Sequence, residues 1–161
     1  MSPAAPTDDR FAPWDADACA GIVRGLAGLE GPLLPVLHAV AAAFGCVPPE
    51  ATAVIAEGLN LTRAEVHGVI SFYHDFKPRP PGRRVVRLCR AEACQAMGGE
   101  ASAAALLADL AIDWGGTTAD GAITVEAVYC LGLCAVAPAA LIDGEPVGRL
   151  DAARLAQVVN T

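Results

Sequence analysis

No stretch of this sequence stays apolar for the length of a bilayer crossing, because Pro, Gly or a charge interrupts every hydrophobic run well before that span. The positive mean hydropathy comes from scattered alanine, and no membrane insertion is expected. Basic residues are scarce too. Acids outnumber them in both halves of the chain and the net charge is -7, the wrong sign for a nucleic-acid binder. Asp8 and Asp9 precede any apolar run, the reverse of an export signal, so a soluble, cytoplasmic protein is expected. Cys-x-x-Cys is absent, and Gly98-Gly99 and Gly115-Gly116 lack the spacing of phosphate-loop or dinucleotide fingerprints. The three histidines have no Ser, Asp or Glu placed to form a triad. That leaves no candidate catalytic residue, and His38 and His67, among apolar residues of helical segments, read as structural.

What is there describes a globular chain: 161 residues, 54% hydrophobic and 18% charged, enough for one ordinary domain or two small ones. Residues 1–14 read as a mobile arm, with Trp14 a hydrophobic anchor. Residues 15–76 read as a helical bundle. Asp15 caps a first helix whose apolar positions Cys19, Ile22, Val23 and Leu26 recur at helical spacing until Gly31. Pro32 opens a second, with Leu33, Leu37, Val40 and Phe44 on its core stripe up to Gly45. A third runs from Pro48-Pro49-Glu50 through Val54 and Ile55 to Gly58. The capping box Thr62-Arg-Ala-Glu65 opens a fourth, carrying Val66, Val69, Ile70 and Tyr73. Phe72, Tyr73 and Phe76 either pack this bundle or dock on a partner.

Residues 77–83 hold three prolines and read as a linker. Arg79, Arg83, Arg84, Arg87 and Arg90 are either a docking patch or a solvated face. From 84 to 161 the pattern changes: a strand over Arg84–Leu88, a helix over Gly98–Ile112, a strand over Ala122–Tyr129, a hairpin turning at Asp143-Gly144, and a last helix capped by Asp151. The whole is an α+β chain.

Six cysteines in a chain expected to meet a reducing compartment argue against a disulfide framework. Cys89 ends the first strand and Cys94 follows; Cys130 ends the second and Cys134 follows. Strands joined by one crossover helix lie side by side, so both loops emerge at one sheet edge. Four thiolates gathered there suit a [2Fe-2S] cluster, whose two irons each need two soft donors. Gly98, Gly99 and Gly132 would let backbone N–H groups approach the sulfurs, and Arg87 and Arg90 would steady the negative charge. Zinc in a four-cysteine site, a thiol–disulfide enzyme and plain core packing remain alternatives. A zinc-stabilised interaction module is the reading of another class. Cys19 and Cys46 have no partner at ligand spacing and read as core.

Cys89-Arg-Ala-Glu-Ala-Cys94, Ile123-Thr-Val125 and Cys130-Leu-Gly-Leu-Cys134-Ala-Val-Ala-Pro138 resemble the thioredoxin-like [2Fe-2S] ferredoxin subunit of complex I, of NAD-reducing hydrogenases and of soluble molybdenum formate dehydrogenases. Leu33-Leu-Pro-Val-Leu-His38, Phe44-Gly45, Arg63-Ala-Glu-Val66 and Gly68-Val-Ile-Ser-Phe-Tyr73 extend the likeness upstream. His67-Gly-Val-Ile-Ser-Phe-Tyr-His-Asp-Phe76 most resembles the gamma subunit of the NAD-dependent formate dehydrogenases. The resemblance implies a helical bundle followed by a thioredoxin-like ferredoxin domain, a cluster on Cys89, Cys94, Cys130 and Cys134, and a cis-proline at Pro138. It also implies an electron-transfer subunit with no complete active site, serving a flavin subunit that carries FMN and NAD, with a larger molybdenum and iron-sulfur subunit beyond.

Overall fold

A cap, a glycine and a stretch of prolines account for most of the boundaries in the computed structural model, which describes residues 10–159. Residues 1–9, most of the arm expected from the sequence, lie outside the described residues. The chain divides into two compact units that part between Pro80 and Pro81.

The first unit is helical: α1 (Ala16–Leu26), α2 (Leu33–Phe44), α3 (Ala51–Leu59) and α4 (Arg63–Phe72). The Asp15 carboxylate accepts the Ala18 N–H at 2.7 Å and starts α1. The helix stops at Leu26, short of Gly31, because its apolar stripe ends there and Leu29 points into solvent. Helix α2 ends, as expected, at Gly45 in the left-handed conformation. Gly58 does not end α3. It sits where α1 crosses, since a Cβ there would lie 2.5 Å from Val23 Cγ1, and the helix is stopped two residues on by Asn60 at φ 54. Val23, Leu37, Val40, Phe44, Ile55, Val66 and Phe76 fill the core, with Trp14 edge-on to Phe44. Tyr73 lies beyond the end of α4 and outside the core, and Phe72 is 73% exposed. His38 and His67 are likewise exposed, although the His38 ring packs edge-on against the buried Phe76, 5.1 Å between centroids, in keeping with a structural role.

Thr62 makes the expected capping box: its hydroxyl accepts the Glu65 N–H at 3.2 Å, and Glu65 Oε2 accepts the Thr62 N–H at 2.8 Å. The Thr62 N–H, then its hydroxyl, hold the Glu65 carboxyl below its ordinary range. Glu65 thus binds its proton less readily folded than unfolded. Its contribution is complete above the ordinary carboxylate range and is lost as the pH falls through the lowered value. Thr62→Ala is expected to cost about 1 kcal/mol at neutral pH, and thermal unfolding should find the gap from the parent protein narrowing in acid by the hydroxyl's share, without closing, because the Thr62 N–H is kept and the lost Glu65 N–H bond does not titrate.

The second unit begins where Gly82 N–H donates to the buried Thr124 hydroxyl at 2.6 Å. Its elements are β1 (Arg84–Cys89), α5 (Glu92–Ala96), α6 (Gly99–Leu110), β2 (Ile123–Val128), a 3₁₀ turn (Cys134–Val136), β3 (Ala139–Ile142), β4 (Glu145–Gly148) and α7 (Ala152–Val159). The sheet order is β2-β1-β3-β4, with β1 parallel to β2 and the other pairs antiparallel. Val86, Leu88, Leu106, Val125, Leu150 and Leu155 form its core. Asp143 and Gly144, at φ 52 and 91, make the expected hairpin turn, and Asp151 accepts the Arg154 N–H to start α7. Arg84 donates to the carbonyls of Val158 and Val159 and closes the other end of that helix.

Candidate metal centre

In the parallel register Cys89 stands opposite Val128, and Leu88 stands opposite Ala140 of β3. The loops after β1 and β2 and the entry to β3 therefore meet at one sheet edge, carrying Cys89, Cys94, Cys130 and Cys134. Cys94 lies in α5, a five-residue helix that the sequence did not announce.

Cys130 adopts φ 71, unusual for a residue with a side chain, and Gly132 follows at φ 75. This turn aims consecutive N–H groups inward, an arrangement that favours an anion. Burial pushes the Cys89 thiol up, but N–H donors from Ala91, Leu131 and Cys130, with the Cys94 thiol, outweigh it and leave Cys89 below its ordinary value. Cys94 is pushed up by burial and by its hydrogen bond with Cys89, although the Ala139 N–H works the other way. Cys134 is raised by its hydrogen bond with Cys130, then by the charges of Cys130 and Cys89.

Each thiol thus feels its loop partner most, Cys94 feeling Cys89 and Cys134 feeling Cys130, while Cys134 also acts on Cys94 and Cys89 on Cys134 across the two loops. Among the described residues no three His, Cys, Asp or Glu side chains converge on one point as a single metal ion requires. Two pairs of soft donors whose mutual repulsion resists full ionisation suit a group of two cations that takes two thiolates each. Cys89 and Cys94 are buried, whereas Cys130 and Cys134 are exposed. Tyr129, directly before Cys130, is 72% exposed, and Met97, three residues after Cys94, is 64% exposed.

The glycines divide by role. A Cβ on Gly99 would sit 2.6 Å from the Cys94 carbonyl oxygen and 3.4 Å from Pro138 Cβ, so Gly99 permits close approach. Gly98 and Gly132 have open space and instead supply left-handed turns. The Ala137–Pro138 bond is cis, as the resemblance implied. Arg87 and Arg90 do not stand free beside the sulfurs: Arg87 pairs with Glu126 at 3.0 Å and Arg90 with Glu100 at 2.9 Å. Sequence reasoning missed those acids, and it missed Gly148, whose absent Cβ makes room for Val136 of the 3₁₀ turn. Cys19 and Cys46 are buried, with thiols raised by burial, as core residues should be.

The thioredoxin-like [2Fe-2S] ferredoxin family matches the chain over residues 20–161. The chain belongs to this family. Among relatives of the ferredoxin, the NADP-reducing hydrogenase subunit HndA of Solidesulfovibrio fructosivorans is 30% identical over 137 residues, covering 85% of this chain and 80% of that one. An NADH-quinone oxidoreductase subunit of Pseudomonas aeruginosa is 38% identical over 104 residues, 65% of this chain and 63% of that one. An NAD+-reducing [NiFe]-hydrogenase solved in the air-oxidized state superposes with a TM-score of 0.65 at 34% identity, over 80% of the ferredoxin but 22% of the hydrogenase chain. The ferredoxin therefore spans less than two thirds of the Pseudomonas chain and under a quarter of the [NiFe]-hydrogenase chain.

Proposed function

We propose that Cys89, Cys94, Cys130 and Cys134 hold one [2Fe-2S] cluster, the first two on one iron and the last two on the other. On this reading the chain is the electron-transfer subunit of an NAD-linked oxidoreductase complex. The observation that carries the reading is the pair of thiol pairs at one sheet edge. Bound there, such a cluster supplies one-electron chemistry and no hydride chemistry.

The chain's own residues do the rest. N–H groups of Ala91, Cys130 and Leu131 favour an anionic sulfur at Cys89. Burial shields the Cys89 and Cys94 side, so electrons are exchanged across the open Cys130 and Cys134 edge, next to the exposed Tyr129. Hydride exchange with NAD, and the FMN it requires, belong to a partner subunit. No helix among the described residues is long and apolar enough to cross a membrane.

The finer proposal is a soluble, cytoplasmic NAD-dependent formate dehydrogenase with a larger molybdenum and iron-sulfur subunit, supported by the segment from His67 to Phe76. The hydrogenase and NADH-quinone oxidoreductase relatives favour a second reading, the equivalent subunit of one of those assemblies. Iron and acid-labile sulfide analysis with EPR of the reduced full chain tests the cluster: two irons and two sulfides per chain are expected, and stoichiometric zinc without visible absorbance would end the reading. Purifying the native complex and assaying formate, hydrogen and quinone decides among the assemblies.

A further inference from the structure

We propose that Arg90 is a positioning residue that ties the two cysteine loops together and carries a permanent positive charge on the residue next to Cys89, an inference that rests on those loops holding the cluster. Arg90 follows Cys89 directly. Its N–H donates to the Val128 carbonyl at 2.8 Å, two residues before Cys130. Its carbonyl accepts from Gln95 Nε2 at 2.7 Å, the residue after Cys94. One residue thus bonds beside three of the four ligands, across both loops.

The side chain is held as firmly. Its guanidinium forks onto both oxygens of Glu100, at 3.2 and 2.9 Å in the first turn of α6, and lies over the Trp114 ring at 4.8 Å. Only a planar fork meets a carboxylate and an indole face together. Lysine would keep the charge and lose the geometry.

Reduction adds one negative charge to the site. A cation held nearby favours that change and an anion opposes it, so Arg90 and Glu100 must act with opposite sign. Both are partly solvated, with side-chain exposures of 29% and 51%, so screening keeps each effect modest. A purely structural strut would behave otherwise: truncation at either end would loosen the same loops and move the site in the same direction.

Redox titration of the full chain followed by EPR separates the two. Arg90→Met should shift the electron equilibrium up to about tenfold toward the oxidised form, about 59 mV more negative for one electron. Glu100→Gln, which can still accept from Arg90, should move it the other way. Arg90→Lys should leave the potential near that of the parent while iron passes faster to a chelator. The proposal is overturned if Arg90→Met and Glu100→Gln shift alike, if neither shifts at full iron content, or if Arg90→Lys keeps its iron. Should Arg90→Met fail to assemble, the other two variants still decide. An unsubstituted chain that takes up no iron and sulfide sinks the electron-carrier reading instead, and this inference with it.

Discussion

Replacing Cys134 with serine is expected to remove most of the iron from the ferredoxin. Each iron of the cluster draws two of its donors from the protein, and a neutral hydroxyl is a harder and far less acidic ligand than a thiol. Cys134 is exposed, so the exchange costs no core packing and a loss of iron reads as a loss of ligation. The same substitution at Cys89 should be at least as damaging, because it discards the sulfur on which the Ala91, Cys130 and Leu131 N–H groups converge. Cys46→Ala is the matched control: it removes a buried thiol from the helical unit and should cost stability without costing iron. Iron per chain and visible absorbance measure all three. Unchanged iron in Cys134→Ser would remove that residue from the ligand set.

What the sequence disclosed was local or topological. Asp15, Thr62 and Asp151 announce helices because a cap is a contact between residues three apart. Asp143-Gly144 announces its turn because few residues tolerate left-handed backbone twice in succession. The parallel pairing of β1 with β2 followed from the crossover helix between them, and it brought the two cysteine loops together. Hidden features depend on residues far apart in the chain. Gly58 looks like a stop signal until Val23 of another helix is found against it. Nothing near Arg90 in sequence points to Trp114, and α5 is too short to develop a helical period. The N–H groups aimed at Cys89 depend on the backbone of Cys130, and residue type alone does not disclose a left-handed cysteine.

Gly148→Ala is expected to reach the metal centre from outside it. Gly148 ends β4, paired with Ala139, and its φ is not positive, so alanine brings no backbone strain. The conflict is steric: the new Cβ would lie 2.6 Å from Val136 Cγ2 and 2.7 Å from the Val136 carbonyl oxygen, which already accepts the Arg149 N–H at 2.6 Å. Val136 closes the 3₁₀ turn that Cys134 opens. The strand is held by its ladder to β3, so the turn is the part free to give way, and Cys134 moves with it. Overpacking of this kind costs about 1–3 kcal/mol, a fall of several degrees in Tm. The telling measurement is iron transfer to a chelator, which should quicken. Gly115→Ala provides the contrast, since that residue has φ 76 with open space around it: alanine there costs about 1–2 kcal/mol of backbone strain and should leave iron retention alone. Equal iron retention by the two variants would mean that the 3₁₀ turn absorbs the methyl group without moving Cys134, and that β4 has no hold on the site.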